Sequence, residues 1–270
     1  MLDATTPPPL LEVTGSDGVV SVRLNRPADR NALNRALMQE LTDFARAHRT
    51  RPDVRAIVLS GARTFFSAGA DLAERGVGEQ RERASMLEMR EAMMLGPDMC
   101  RAWEEIEAVT IVAVEGYCVG GACALSLCCD FRIMGEGGMM RLPEVPLGMN
   151  MSWRSLPRLA TLVGPSRAKR FTIFGEATDA ATLHRWGMID ELVPAGEAEA
   201  TALRWAQRIA GLPPLPVRMS KEAINAAANA NHYSTSFMDR DQFLLTLHSK
   251  DLQEGIKAFF EKRKPDFKGD

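Results

Sequence analysis

The order of apolar runs, small-residue loops and helical patterns constrains this chain more than any other feature of its sequence. Residues 56–59 and 110–114 are short apolar runs, and a glycine follows each of them within two residues. Runs this short and this apolar are typical of strands that are buried on both faces in a parallel sheet. Because helical patterns follow both runs, we predict that the first two-thirds of the chain is α/β.

Patterns at the two ends of the chain complete this outline. Residues 10–14 and 19–24 predict a hairpin around a glycine-containing turn, and Asn34 can cap the helical pattern that follows. After residue 198 no run predicts a strand, and helical periodicity dominates. We therefore predict an α/β core over residues 1–200 and a helical region over residues 201–270.

Two segments leave more than one interpretation open. Residues 74–91 are strongly charged, which favours a solvated helix face or a mobile flap over a binding patch. Methionines cluster between residues 86 and 99, where they can serve as core packing or as an adaptable wall for an apolar substrate.

Charge, hydropathy and cysteine usage exclude several classes of protein. The formal net charge is −2 and no long basic run occurs, which disfavours nucleic-acid and anionic-membrane partners. No signal-peptide pattern and no membrane-length apolar window are found, so we predict a cytoplasmic protein. Cysteines crowd into one apolar stretch without CxxC spacing or paired histidines, which predicts buried reduced thiols and no metal site; they are Cys118, Cys123, Cys128 and Cys129.

Three common catalytic motifs are missing from the sequence. Residues 116–121 do not match GxGxxG and no GxxxxGK[ST] occurs, so neither a dinucleotide site nor a P-loop is predicted. Ser67 lacks the first glycine of a GxSxG elbow, which makes a serine hydrolase a weak alternative.

Two loops instead share a design that suits anion binding. Residues 66–72 and 115–125 each combine small residues with the start of a helical pattern. Small residues let a ligand approach the backbone closely, and N–H groups at a helix start point outward without an intrahelical acceptor. Two such loops that face one point can hold an oxyanion between them.

Five segments follow one another in a recognisable order along the chain. They are Asn25-Arg26-Pro27 with residues 30–34, the loop 66–72, Gly116 to Gly121 with Cys129-Asp130, Leu142-Pro143-Glu144-Val145 with Gly148, and residues 254–267. Together they resemble motifs of the enoyl-CoA hydratase/isomerase, or crotonase, superfamily, from about residue 10 to the C-terminus. The resemblance implies an α/β crotonase-like spiral of ββα units with a C-terminal helical trimerisation region, assembled as a homotrimer or a dimer of trimers. It also implies an acyl-CoA substrate, no separate cofactor and a place in fatty-acid metabolism.

The same resemblance implies roles for individual residues. The N–H groups of Ala70 and Gly121 match the oxyanion donors, and Glu144 matches a catalytic glutamate that moves a proton. Phe259 and Lys262 match tail positions that cover CoA, in the family often from a neighbouring subunit. The positions implied beside the bound acyl-CoA are Arg30, Ala32, Ala68, Asp71, Leu72 and Gly120.

The sequence departs from the family pattern near the reacting end of the substrate. Ala124 stands where the usual hydratases carry a second glutamate, three residues after the oxyanion glycine. One carboxylate can shuttle a proton from C2 to C4, whereas hydration normally uses two, so we favour an isomerase over a hydratase that uses Glu144 alone. Ser152 takes the place of an acid found in dienoyl-CoA isomerases, which disfavours that variant. Trp153 can either reshape the acyl pocket or serve as helix packing.

Two further classes stay open on the sequence alone. The chain could be an acyl-CoA-binding relative without turnover, in which case CoA-ester affinity would be measurable and Glu144→Gln would change nothing. A hydrolase that uses Ser67 would release free CoA, and Ser67→Ala would abolish that release.

Overall fold

The computed structural model describes residues 9–71 and 85–270. Within them the strands are β1 Leu11–Ser16, β2 Val19–Leu24, β3 Ala56–Ser60, β4 Val109–Val114, β5 Tyr117–Val119, β6 Phe131–Gly135, β7 Met139–Arg141, β8 Thr178–Asp179 and β9 Glu191–Val193. The helices are α1 Arg35–Ala47, α2 Met86–Ala92, α3 Leu95–Glu104, α4 Gly121–Leu127, α5 Ser155–Val163, α6 Pro165–Phe174, α7 Ala180–Trp186, α8 Ala198–Ala210, α9 Pro214–Ala228, α10 His232–Ser236, α11 Asp239–Leu247 and α12 Lys250–Glu261. Short 3-10 turns occupy Pro27–Asp29 and Val145–Leu147.

The main sheet of the described residues has the strand order β1-β2-β3-β4-β6-β9. Only the β1–β2 hairpin pairs antiparallel there, and the other neighbours run parallel. Every residue of β3 and β4 is buried, as expected of central parallel strands. The hairpin turns at Asp17 and Gly18, whose φ angles of 51° and 80° suit a tight two-residue turn. The predicted α/β class is confirmed.

The two faces of the sheet carry separate apolar layers. Ile57 and Leu59 of β3 belong to a cluster with α1, α3 and α4, whereas Ala56 and Val58 pack with the buried alanines of α8. This alternation follows from the two-residue period of a strand, which points successive side chains to opposite faces. The predicted boundary after residue 200 falls inside α8, which packs on the sheet.

A second, small sheet carries the loop that leads to α4. Within the described ranges its order is β5-β7-β8, with β5 and β7 parallel. The sequence did not predict these strands, because two or three residues are too few to display a two-residue period. β5 follows β4 after Glu115 and Gly116, and it leads directly to Gly120 and α4.

The C-terminal helices are joined to the core at two places. Lys221 of α9 forms an ion pair of 2.6 Å with Asp130, whose carboxylate also accepts the Thr110 N–H at 2.7 Å. Further along, α12 lies against the turn Val145–Leu147, where a Cβ atom at Gly255 would lie 2.5 Å from Leu147 O. The predicted helical character of this region is confirmed, whereas trimerisation stays a prediction.

The cysteines, the charged segment and the methionine cluster differ in their surroundings. All 5 cysteines are buried and free, as predicted. Residues 74–84 of the charged segment lie outside the described residues, and Ser85 caps α2 through a reciprocal pair of hydrogen bonds with Glu88. The methionine cluster is divided, since Met99 is fully buried and Met86 is exposed. Over the part of the chain that is described, none of the helices has the length and apolarity needed to cross a membrane.

Gly255 gives a test of how tightly α12 is seated. Alanine ordinarily favours a helix over glycine by about 1 kcal/mol, but here its Cβ would meet the main chain of Leu147. We expect Gly255→Ala to lower the free energy of unfolding by about 1–3 kcal/mol, measured by denaturant titration.

The matched control is Gly211→Ala at the end of α8. A Cβ there would lie 3.5 Å from its nearest neighbour, Arg208 O, which is ordinary van der Waals contact. Equal stability of the two variants would mean that α12 does not rest on this turn.

Candidate active site

The loop after β3 is fixed by a buried serine. Ser67 Oγ donates to Asn31 O at 2.6 Å and accepts the Gly69 N–H at 3.1 Å. Asn31 in turn donates from Nδ2 to Phe66 O at 3.0 Å. Ser67 is fully buried and its hydroxyl proton is directed to a carbonyl, which argues against the nucleophilic serine considered above.

The same loop is bound to residues 30–34 by main-chain hydrogen bonds. Ala68 N donates to Arg30 O, Leu33 N to Gly69 O and Asp71 N to Leu33 O, at 2.8–3.1 Å. Leu33 and Ala70 thereby form an isolated parallel bridge. In such a bridge the N–H of the central residue points away from the partner strand. The Ala70 N–H is therefore directed away from Leu33.

The second loop ends where α4 begins. Gly120 has a φ of 55°, a conformation that glycine adopts without strain, and its N–H donates to Arg141 O at 2.8 Å. Gly121 is the first residue of α4 and is buried. An N–H at that position has no acceptor within its own helix, so it is available to a ligand.

The two loops meet at their backbones. Phe66 N donates to Tyr117 O at 3.1 Å and Val119 N to Ser67 O at 3.2 Å. A Cβ atom at Gly69 would overlap Val119 O and would lie 3.4 Å from Gly121 N. The structure therefore brings Ala70, the neighbour of Gly69, close to Gly121.

Glu144 lies beside Gly120, the residue that precedes Gly121. A Cβ atom at Gly120 would lie 2.7 Å from Glu144 Oε1, and Glu144 Oε2 is shielded from solvent. The main chain of this residue is held by its carbonyl, which accepts the N–H groups of Leu147 and Met149 at 3.1 and 2.9 Å. A carboxylate is thus fixed one residue away from the Gly121 amide.

Trp153 lies against Gly121 and against Gly96. A Cβ atom at Gly121 would lie 2.5 Å from Trp153 Cη2, and one at Gly96 would lie 2.5 Å from Trp153 Cδ2. The indole is therefore packed between two glycines, one of which is the predicted oxyanion donor. The sequence did not single out Gly96, although an isolated glycine within a helical pattern can signal close packing.

The residues that follow Gly121 on α4 cannot supply a second acid. Ala124 is fully buried, and its methyl group can neither ionise nor hold a water molecule. Cys123 donates its thiol to Cys118 O at 2.9 Å. Burial raises the pKa of the Cys123 thiol well above its ordinary value, so the thiol stays protonated and is a poor nucleophile.

The residues predicted to contact CoA differ in their exposure to solvent and in their partners. Arg30 is exposed and Ala32 and Ala68 are half-buried beside the first loop. Asp71 is bound by Arg26 at 2.6 Å, so its carboxylate already holds the loop in place. Phe259 and Lys262 are exposed at the end of α12, Leu72 lies outside the described residues, and the CoA contacts stay predictions.

A buried polar network holds the turn that carries Trp153. Trp153 and Arg154 both have left-handed φ angles, 60° and 57°. Arg154 N donates to Asp239 Oδ2 at 2.7 Å, and Arg158 donates to Arg154 O at 2.9 Å and to Glu104 Oε1 at 2.8 Å. These contacts from α3, α5 and α11 stabilise a strained pair of residues.

A cavity of about 750 Å³ lies elsewhere, between α9 and the core, and is not lined by any of the predicted site residues. In the described residues no group of three or more histidine, cysteine, aspartate or glutamate side chains is arranged to bind a metal ion.

The chain is similar to known proteins over nearly its whole length. A family model described as Enoyl-CoA hydratase/isomerase matches residues 14–270. The chain is 33% identical over 262 residues to the 2,3-dehydroadipyl-CoA hydratase of Escherichia coli, with 96% of this chain and 98% of that protein covered. It is 34% identical over 245 residues to the crotonyl-CoA hydratase of Syntrophomonas wolfei, with 90% and 92% covered. A crystal structure of an enoyl-CoA hydratase from Mycobacterium avium subsp. paratuberculosis matches with a TM-score of 0.85 at 27% identity, covering 97% of this chain and 100% of that one.

Asp239 gives a pH-dependent test of the network behind Trp153. Burial raises the pKa of its carboxyl to about 6, although Arg154 and Arg158 favour the charged form. The folded state therefore binds more protons than the unfolded state between about pH 4 and pH 6. Stability should fall as the pH rises through that window, by at most about 3 kcal/mol.

Asp239→Asn keeps an oxygen for the Arg154 N–H but removes the titration. We expect the difference in unfolding free energy between the original protein and this variant to change across pH 4–6 and to stay constant above pH 7. Parallel stability curves for the two proteins would contradict the assignment.

Gly120 gives a test of the site geometry itself. An alanine there would adopt a strained φ and would place its Cβ against the Glu144 carboxylate. Displacing an acid or base typically costs roughly 10²–10⁴ in rate, so we expect turnover of acyl-CoA substrates to fall by that factor.

The control for backbone strain is Gly187→Ala, because Gly187 has a φ of 74° and an added Cβ would enter open space among the described residues. Comparable losses of turnover in both variants would show that strain alone, and not the contact with Glu144, causes the effect.

Proposed function

Because the chain belongs to the enoyl-CoA hydratase/isomerase family, we propose that it shifts the double bond of an enoyl-CoA, with Glu144 as its one catalytic acid and base. One observation carries this proposal: the Glu144 carboxylate is fixed against Gly120, while the position of a second family glutamate is a buried alanine, Ala124.

The first step is removal of a proton from C2 of a 3-enoyl-CoA. The Glu144 carboxylate takes this proton, and the electron pair that it leaves behind moves toward the thioester oxygen. The N–H groups of Ala70 and Gly121 are proposed to donate to that oxygen. Their hydrogen bonds strengthen as negative charge develops, so they stabilise the transition state more than the ground state.

The second step returns the proton at C4. The dienolate collapses, the double bond moves from C3–C4 to C2–C3, and the thioester carbonyl is restored. Glu144 ends as the carboxylate from which it started, so the reaction needs no water and no second acid. The site is therefore sufficient for isomerisation with the groups described here.

Hydration is the second candidate, because the relatives from Escherichia coli and Syntrophomonas wolfei are named as hydratases. In that reaction water must be oriented and deprotonated while C2 receives a proton. Glu144 alone would have to serve both needs, since Ala124 cannot hold water. For this reason we favour isomerisation.

The wider setting is also proposed. We infer that the enzyme acts on acyl-CoA intermediates of fatty-acid metabolism in the cytoplasm, as a homotrimer or a dimer of trimers, with Phe259 and Lys262 covering CoA. Exposed apolar side chains on α9, among them Leu215 and Ile224, offer surface for such assembly.

The product of the reaction distinguishes the candidates. We expect incubation with 3-enoyl-CoA to give an isomer of unchanged mass, detected by chromatography and mass spectrometry, and incubation with 2-enoyl-CoA to add no water. Glu144→Gln should reduce the isomerisation rate by roughly 10²–10⁴ while affinity for a saturated acyl-CoA stays within a few-fold.

The matched control is Glu222→Gln on the exposed side of α9. A gain of one water by 2-enoyl-CoA without isomerisation would favour the hydratase. Acyl-CoA binding without any turnover, unaffected by Glu144→Gln, would identify a binding protein. Release of free CoA would point to a hydrolase.

A further inference from the structure

The proposed function places the first acyl carbons of the substrate beside Gly120 and Gly121, and we call this space the acyl slot. The two side chains beside these glycines are chemically different. Glu144 lies against Gly120 and the indole of Trp153 lies against Gly121, so adjacent glycines face a carboxylate and an aromatic ring. Under the proposed function, a thioester oxygen bound to the Gly121 N–H would bring the first acyl carbons close to both side chains.

The Trp153 indole faces Gly121 with carbon atoms only. The ring atoms nearest to a Cβ at Gly121 are Cζ3, Cη2 and Cε3, all of them carbons of the six-membered ring. The indole nitrogen Nε1 is instead among the atoms nearest to Gly96. The only polar atom of the side chain is therefore on the side of α3, away from Gly121.

The ring has little freedom to move aside. Trp153 is 7% exposed and lies in contact with a glycine on each of two helices. Its backbone is in the left-handed region and is followed by Arg154, whose N–H is bound by Asp239. Rotation of the indole would require movement of α3 or of the N-terminus of α4.

We propose that Trp153 is a specificity-determining residue, whose six-membered ring closes the acyl slot beside Gly121 and restricts the enzyme to short, unbranched enoyl chains. This inference rests on the proposed function for the location of the thioester. It concerns which acyl groups fit, and it therefore extends to binding as well as to turnover.

Two substitutions should act in opposite directions. Trp153→Leu shortens the wall, and we expect it to raise kcat/KM for medium-chain or methyl-branched enoyl-CoA, relative to a short unbranched one, by about tenfold or more. Gly96→Ala adds a Cβ that would lie 2.5 Å from Trp153 Cδ2 and pushes the ring toward Gly121. It should lower the same ratio.

Trp103→Phe is the matched control. Trp103 is a fully buried tryptophan of the core that donates to Leu41 O, so its replacement perturbs packing without touching the slot. The selectivity ratio should remain that of the original protein even if stability falls. Circular dichroism of each variant verifies that it is folded.

Dissociation constants of saturated acyl-CoA esters give a readout that needs no chemistry. If the protein binds these esters but does not isomerise, the proposed function fails while their chain-length preference still tests Trp153. An unchanged preference in Trp153→Leu, or a shift of the same sign in Trp153→Leu and Gly96→Ala, would overturn the proposal. If Trp153→Leu does not fold, Trp153→Phe and Gly96→Ala provide the same opposed pair.

Discussion

The close approach of two backbone loops is the constraint on which the rest of the structure depends. Gly69 touches Val119 and lies near the amide of Gly121, an approach that any side chain at residue 69 would prevent. The approach is possible because β3 and β4 are neighbouring parallel strands, whose carboxyl ends reach the same edge of the sheet. Hydrogen bonds from Ser67 and the small sheet then hold both loops in register. These supports hold the two loops whose main-chain N–H groups we propose to bind one oxygen.

The site built on this contact is asymmetric, and its asymmetry bears on the chemistry. A carboxylate lies against Gly120 and an indole lies against Gly121, while Ala124, on the same helix as Gly121, is buried and apolar. Such an environment can stabilise charge on a thioester oxygen and move one proton, but it offers little that would orient water. Membership of the family is compatible with both hydration and isomerisation, and we propose that the side chains around the thioester decide between the two reactions.

The turn that carries Trp153 shows how the fold supports a costly local structure. Left-handed backbone at Trp153 and Arg154 is disfavoured for side chains of that size. It is stabilised by Asp239, by the Arg158–Glu104 ion pair and by Asn229, which donates to Glu104 at 2.9 Å. These groups come from distant parts of the chain. The C-terminal helices therefore help to fix the position of Trp153, which we propose borders the acyl group.

The sequence by itself determined the α/β class, the hairpin and the strands of the main sheet that have strong apolar runs, and it predicted the glutamate and glycines of the proposed site. Local periodicity and short ordered motifs are properties of neighbouring residues, so they can be read without coordinates. The strands β5 and β7 escaped prediction because they are too short to show a period. Only the tertiary structure placed Gly96 against Trp153, engaged Asp71 with Arg26 and brought Asp239 to Arg154. Those contacts join residues far apart in the chain, and they exist because packing of whole helices, not local sequence, decides which surfaces meet.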